Sequence, residues 1–202
     1  MLAMIVRKLP LALSALVALA ACGERPATDT GQAVHIDSVF PIEEEIRRFR
    51  ADLPGAPAGL EAGASTSRDA LVARFVKAIE TLDTAAVREM VMSRAEFAYL
   101  YYPFTRFAKP PQELSPALVW FQIRQNSEKG IGRAFRTFGG RGLGFAGYRC
   151  PEPPAIEEVN RLWEGCVLRL RGPDGSESET RLFGTILERD GRFKFLSYAN
   201  DL

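Results

Sequence analysis

The chain has 202 residues, with 26 basic and 25 acidic side chains and a net charge of +1 when histidine is neutral. That balance offers no electrostatic footprint for nucleic acid, which a strongly basic face or domain would supply. One histidine and three cysteines leave little material for histidine-based acid–base chemistry or for zinc, which normally takes four nitrogen or sulfur ligands.

Residues 1–21 divide into three parts. Arg7 and Lys8 are basic, Leu9 to Leu19 form an apolar run, and Ala20 and Ala21 are small. This is the pattern of a secretory signal. The run is shorter than the ~20 apolar residues a membrane-spanning helix needs. Its last four positions, Leu19-Ala20-Ala21-Cys22, resemble the lipobox of bacterial lipoproteins. That resemblance implies a diacylglyceryl thioether on Cys22, cleavage just before it by signal peptidase II, and acylation of the freed amine. Gly23 in place of Asp further implies, in a Gram-negative host, the periplasmic side of the outer membrane. The same residues also permit ordinary cleavage after Ala18-Leu19-Ala20, which would leave a secreted protein with a free thiol. Loss of the leader removes Arg7 and Lys8 and leaves 24 basic against 25 acidic side chains.

Residues 22–65 read as a lipidated tether with one short helix near 41–52. The stretch 23–37 is polar and aperiodic and includes His35, the single histidine. In "SVFPIEEEIRRFRADLPG", Pro41 suits a first helical turn, Glu43 to Glu45 suit its positive end, and Arg47, Arg48 and Arg50 suit the other end. Ile42, Ile46 and Phe49 make an apolar stripe that either docks on the body or meets a partner or lipid surface. "PGAPAGLEAGAST" reads as a linker to the main domain, 66–202.

That domain opens with helices. Thr66 and Asp69 have capping-box spacing before Leu71, Phe75, Val76, Ile79 and Leu82. Asp83 caps a short helix with Val87, Met90 and Val91, and Ser93 with Glu96 forms a second capping box before "AEFAYLYY" meets Pro103. Ser115 and Pro116 start a longer helix, weakened midway by Gly130 and Gly132 and stopped at Gly139-Gly140. From residue 143 the runs "LGFAGYRC", "WEGCVLRLRG", "ETRLFGTILER" and "GRFKFLSYA" are strand-like, with turns at "GPDGS" and "RDGR". Helices followed by an antiparallel meander predict an α+β domain, its N-terminal helices packed on a curved C-terminal sheet.

That element order resembles the nuclear-transport-factor-like cone fold over Thr66–Leu202. The resemblance implies a pocket between helices and sheet, in a family that includes isomerases, dehydratases, cyclases and non-catalytic binders. Fold does not choose among these. The only histidine lies in the tether, so a His-assisted Ser or Cys nucleophile has no base in the body. "FGGRGLGFAG" lies between helix and strand in the wrong order for a phosphate loop, and no cofactor or metal motif stands out.

Cys150 and Cys166 remain after Cys22 is lipidated. In an exported protein they are expected to pair, closing "CPEPPAIEEVNRLWEGC", which reads as a Pro-rich loop leading into a strand. Two reduced thiols or a metal site are the alternatives. Candidate pocket residues are Glu96, Tyr99, Tyr102, Trp120, Tyr148 and Tyr198. A carboxylate of raised pKa beside a Tyr hydroxyl would make an acid–base pair, whereas the same aromatics would otherwise line a binding pocket or fill a core. The expectation is a membrane-anchored module that binds an apolar small ligand or an envelope protein. An envelope assembly factor and a carboxylate/Tyr enzyme of the isomerase or dehydratase type are the alternatives.

Overall fold

Five α-helices precede seven strands in the computed structural model, which describes residues 40–60 and 62–202. The leader, Cys22 and His35 lie outside the described residues. Helix α1 (Ile42–Arg50) has Pro41 at its N-cap, three glutamates in its first turn and three arginines in its last. Its stripe docks on the body. Phe49 is buried edge-on against Phe97, with ring centroids 5.6 Å apart, and Arg50 donates to the Ala98 carbonyl at 2.7 Å. Leu60 is buried in the same cluster, and Ser65 exchanges backbone bonds of 2.9 Å with Phe193. The segment read as tether and linker from residue 40 onward therefore belongs to the same compact unit as the rest.

Helix α2 (Arg68–Thr81) is capped by Ser67, whose hydroxyl accepts from the Ala70 N–H at 3.1 Å. The expected Thr66–Asp69 box is thus displaced by one residue, and Asp69 instead accepts from the Tyr148 hydroxyl. Asp83 caps α3 (Thr84–Met90) as its spacing predicts. The Ser93–Glu96 capping box opens α4 (Arg94–Glu96). The chain then widens into a π-helical turn, Phe97–Tyr101, closed by the Tyr102 N–H reaching back to the Phe97 carbonyl.

Helix α5 (Pro116–Phe138) runs unbroken through Gly130. That glycine is there for contact rather than weakness. A Cβ at Gly130 would sit 1.8 Å from the Tyr198 carbonyl oxygen, so only glycine lets the C-terminal segment cross the helix. The crossing is secured by Asn200 donating to the Gly130 carbonyl at 2.9 Å, by the Tyr198 N–H donating to Ser127 Oγ at 3.0 Å, and by Arg133 donating to Asn200.

The strands form two antiparallel sheets rather than one. The first has order β1-β4-β5 (Phe145–Arg149, Val167–Arg171, Glu177–Thr180), and the second β2-β3-β6-β7 (Ala155–Glu157, Asn160–Trp163, Ile186–Arg189, Arg192–Phe195). The chain leaves the first sheet after β1, builds the β2–β3 hairpin in the second, and returns for β4. Cys150 and Cys166 form a disulfide where it leaves and returns, one position beyond the Arg149–Val167 pair. The loop expected between the cysteines is therefore a hairpin. "ETRLFGTILER" likewise divides into β5 and β6, with Leu182 and Phe183 buried at the passage between sheets. The turn at Asp190-Gly191 has positive φ at both residues, as an Asp-Gly hairpin predicts.

Two apolar clusters fill the interior. One joins α2 to the sheets through Phe75, Phe183, Phe195 and Tyr198, and the other joins α1, the π turn and α5 through Phe49, Phe97, Tyr101, Tyr102 and Val119.

Candidate functional site

Two clefts flank α5. The first has a volume of about 610 Å³ and lies between α5 and the stretch from α3 to Arg94. Its α5 wall is a helical stripe, Trp120, Ile123, Ser127, Ile131 and Phe135, spaced three or four residues apart so that all share one face. Val87, Val91 and Met92 form the opposite wall, and Leu196 and Tyr198 also line the space. Trp120, Ile123, Ile131 and Phe135 are only half-buried, so apolar surface remains in contact with solvent here. Arg88, Arg94, Arg124 and Glu128 supply the charges. Volume and apolar lining fall within the ordinary range for small-molecule sites.

The wall opposite α5 is fixed by a buried ion pair. Lys194 Nζ lies 2.9 Å from Glu96 Oε1 and 3.0 Å from Oε2, and both side chains are almost wholly excluded from water. Glu96 Oε2 also accepts from the Ser93 N–H at 2.7 Å. Glu96 is thus at once a cap and one half of a charge pair. It does not line the cleft. Lys194 escaped the sequence reading because "RFKFL" looks like an ordinary strand whose lysine faces water. The neighbouring Met92 N–H bonds to the Phe195 carbonyl at 2.8 Å, which seats the same wall on β7.

Of the six residues singled out for a pocket, Trp120 and Tyr198 meet at this cleft. Trp120 packs on Phe97 with centroids 5.1 Å apart. Tyr198 is buried, stacks on Phe75 and donates to the Val87 carbonyl at 2.7 Å, and loss of water holds its phenol well above the ordinary range. The other four are dispersed. Tyr99 lies under the Arg50 guanidinium at 4.3 Å. Tyr102 is buried and donates to the Leu114 carbonyl at 2.5 Å, with its phenol pushed up to about 12 by burial. Tyr148 donates to Asp69 at 2.6 Å, and burial first, then that carboxylate, raise it. Phe121, next to Trp120, points outward and is 49% exposed.

The second cleft, about 340 Å³, lies between the adjoining stripe of α5 and the β2–β3 hairpin. It is polar. Gln122 and Asn126 face Glu157, Glu164, Arg106 and Tyr101. Burial raises the Glu157 carboxyl, assisted by Glu164 and opposed by a bond from the Arg106 N–H and by the Arg106 charge. Glu157 Oε2 is buried without a hydrogen-bond partner, and burial together with Glu157 and Glu164 raises the Tyr101 phenol. The carboxylate and phenol sought for acid–base chemistry therefore share a cleft as Glu157 and Tyr101. Sequence reading missed Glu157 because the stretch between Cys150 and Cys166 reads as a Pro-rich loop leading into a strand.

Among the described residues, no group of three His, Cys, Asp or Glu side chains is placed to hold a metal ion, and no helix is long and apolar enough to cross a membrane. The chain matches no protein-family model, no curated protein and no solved structure.

Proposed function

We propose that this is a lipid-anchored envelope protein whose cone-like body binds an apolar small molecule in the cleft between α3 and α5. One observation carries the reading. A space of about 610 Å³ is lined by half-exposed Trp120, Ile123, Ile131 and Phe135, whereas Phe75, Phe97, Phe183 and Phe195 are wholly buried in the two apolar clusters. Apolar area left open in a formed cleft is an unrealised gain of about 25 cal/mol per Å², and a ligand that covers it collects that gain.

Trp120 supplies the test. Titration with dodecan-1-ol should shift its emission saturably, and Trp120→Phe should remove the signal without unfolding the protein. A wild-type emission that does not respond counts against the reading. The anchor has its own test: cells fed a clickable fatty acid should label the wild type and not Cys22→Ala. Equal labelling of both would exclude lipidation at Cys22.

The second reading, acid–base catalysis, draws support from the pairing of Glu157 with Tyr101 in the polar cleft. Its carrier is a carboxyl whose raised pKa keeps it closer to neutrality than an exposed glutamate. Enzyme-dependent exchange of a ketone's α-proton with heavy water, abolished by Glu157→Gln, would move it ahead.

A further inference from the structure

We propose that the ligand of the α3–α5 cleft is a single-chain anionic amphiphile, with its hydrocarbon tail lying along α5 and its anionic head at the arginines of the cleft. The inference rests on the reading of this cleft as a ligand site and adds the chemical class of what fills it.

The tail follows from the shape of the lining. The α5 contributions run from Trp120 to Phe135, a distance of about 22 Å at 1.5 Å per residue. A linear chain covers such a stripe, whereas a compact ring system covers only part of it. The interior also has little to offer a polar body. Tyr198 spends its hydroxyl on the Val87 carbonyl, and Ser127 Oγ already accepts from the Tyr198 N–H. A ligand's polar group is therefore driven to the charged side chains.

The sign of the head follows from those side chains. Arg88, Arg94 and Arg124 line the cleft against a single acid, Glu128. Arg94 is committed, since it donates to the Phe49 carbonyl and lies over the Phe49 ring at 4.6 Å. Arg124 and Glu128 make an exposed pair at 3.6 Å, a contact of small worth. Arg88 is exposed and has no ion-pair or hydrogen-bond partner among the described residues. A guanidinium left free beside apolar surface suits a carboxylate or a phosphate monoester, which its planar donor fork can grip at two points. A cationic head meets three like charges instead.

The experiment uses the chain from residue 22 with Cys22→Ala, which keeps it free of lipid and leaves the compact unit Val39–Leu202 unchanged. Trp120 emission is titrated with dodecanoate, dodecyl phosphate, dodecan-1-ol and dodecyltrimethylammonium, each below its micelle concentration. At least one anion should bind about tenfold more tightly than the alcohol, and the cation more weakly than either. The two anions separate a free fatty acid from a phosphate-headed lipid as the natural source. The Arg88→Gln/Arg124→Gln double variant should bring the anions down to the alcohol while leaving the alcohol itself unchanged within twofold. Equal binding of anion and alcohol, or an anion preference that survives the double variant, overturns the anionic head and leaves the apolar site standing. Absence of saturable signal with all four probes overturns both.

Discussion

The two clefts are built from neighbouring stripes of one helix, yet one is mainly apolar and the other mixes polar and apolar groups. On one side α5 presents Trp120, Ile123, Ile131 and Phe135, and on the other Gln122 and Asn126, with Ile123 and Leu196 contributing to both. The opposing walls differ in the same sense. The apolar cleft faces a helical segment held by a buried ion pair, and the polar cleft faces a hairpin held at its base by a disulfide. The lesson is that a 23-residue helix can serve two sites when adjacent stripes are wetted differently. What each site becomes then depends on what is fastened across from it.

The strongest test breaks the fastening of the apolar side. Glu96→Gln keeps a side-chain oxygen for the Ser93 N–H but leaves the Lys194 charge buried without its counter-ion. Destabilisation of about 3–5 kcal/mol is expected in urea unfolding. Replacing both residues, as Glu96→Gln with Lys194→Met, should recover much of the loss, because the cost lies in the orphaned charge. A double variant no better than the single would show that the wall depends on the pair itself.

Breaking the fastening of the polar side should cost somewhat less. Cys150→Ala/Cys166→Ala frees the base of the β2–β3 hairpin, with an expected loss of about 2–4 kcal/mol. Amide exchange should rise most in Ala155–Trp163, while the α3–α5 wall stays protected. Uniform loss of protection would mean that the hairpin and the apolar cleft unfold as one. In protein from an oxidising compartment, thiol alkylation should require prior reduction.

A smaller effect comes from the cap alone. Ser93→Ala removes the acceptor for the Glu96 N–H at 3.2 Å and should cost about 1 kcal/mol. It should also weaken ligand binding at the apolar cleft without touching the polar one.

The smallest effect is a pH dependence on the polar side. The Glu157 carboxyl has its pKa raised in the folded protein, chiefly by burial. Its favourable contribution is therefore full below the ordinary carboxylate value of 4.5 and is lost as pH rises through the folded value. Glu157→Gln should make the protein more stable than wild type at pH 7, and the difference should vanish as pH falls to about 4. A gain that is the same at both pH values would trace to packing rather than ionisation.

Much of the local structure was legible in residue order. Helix starts at Asp83, Ser93 and Ser115 follow from short-range capping chemistry, and the Asp190-Gly191 turn follows from the positive φ that hairpin requires. The pairing of Cys150 with Cys166 was expected from the export signal and the count of cysteines. The α+β class also followed, because the apolar period changes from helical to strand-like near residue 143. These are effects that act over a few residues, or through composition.

What only the tertiary structure decided are the long-range partners. Nothing near Lys194 in the chain announces a carboxylate 98 positions away, and nothing near Gly130 announces the Tyr198 carbonyl that makes a side chain impossible there. The α1 stripe was visible, but its seat on Phe97 was not. The β2–β3 hairpin hid behind Pro153, Pro154 and three glutamates of poor strand preference. It exists because β6 offers β3 a pairing edge in the second sheet. The clefts belong to this second kind of knowledge. Amphipathic periodicity shows that α5 has an apolar face, but whether that face is covered depends on how far away the opposing wall is held, and that distance is set by contacts between residues remote in sequence.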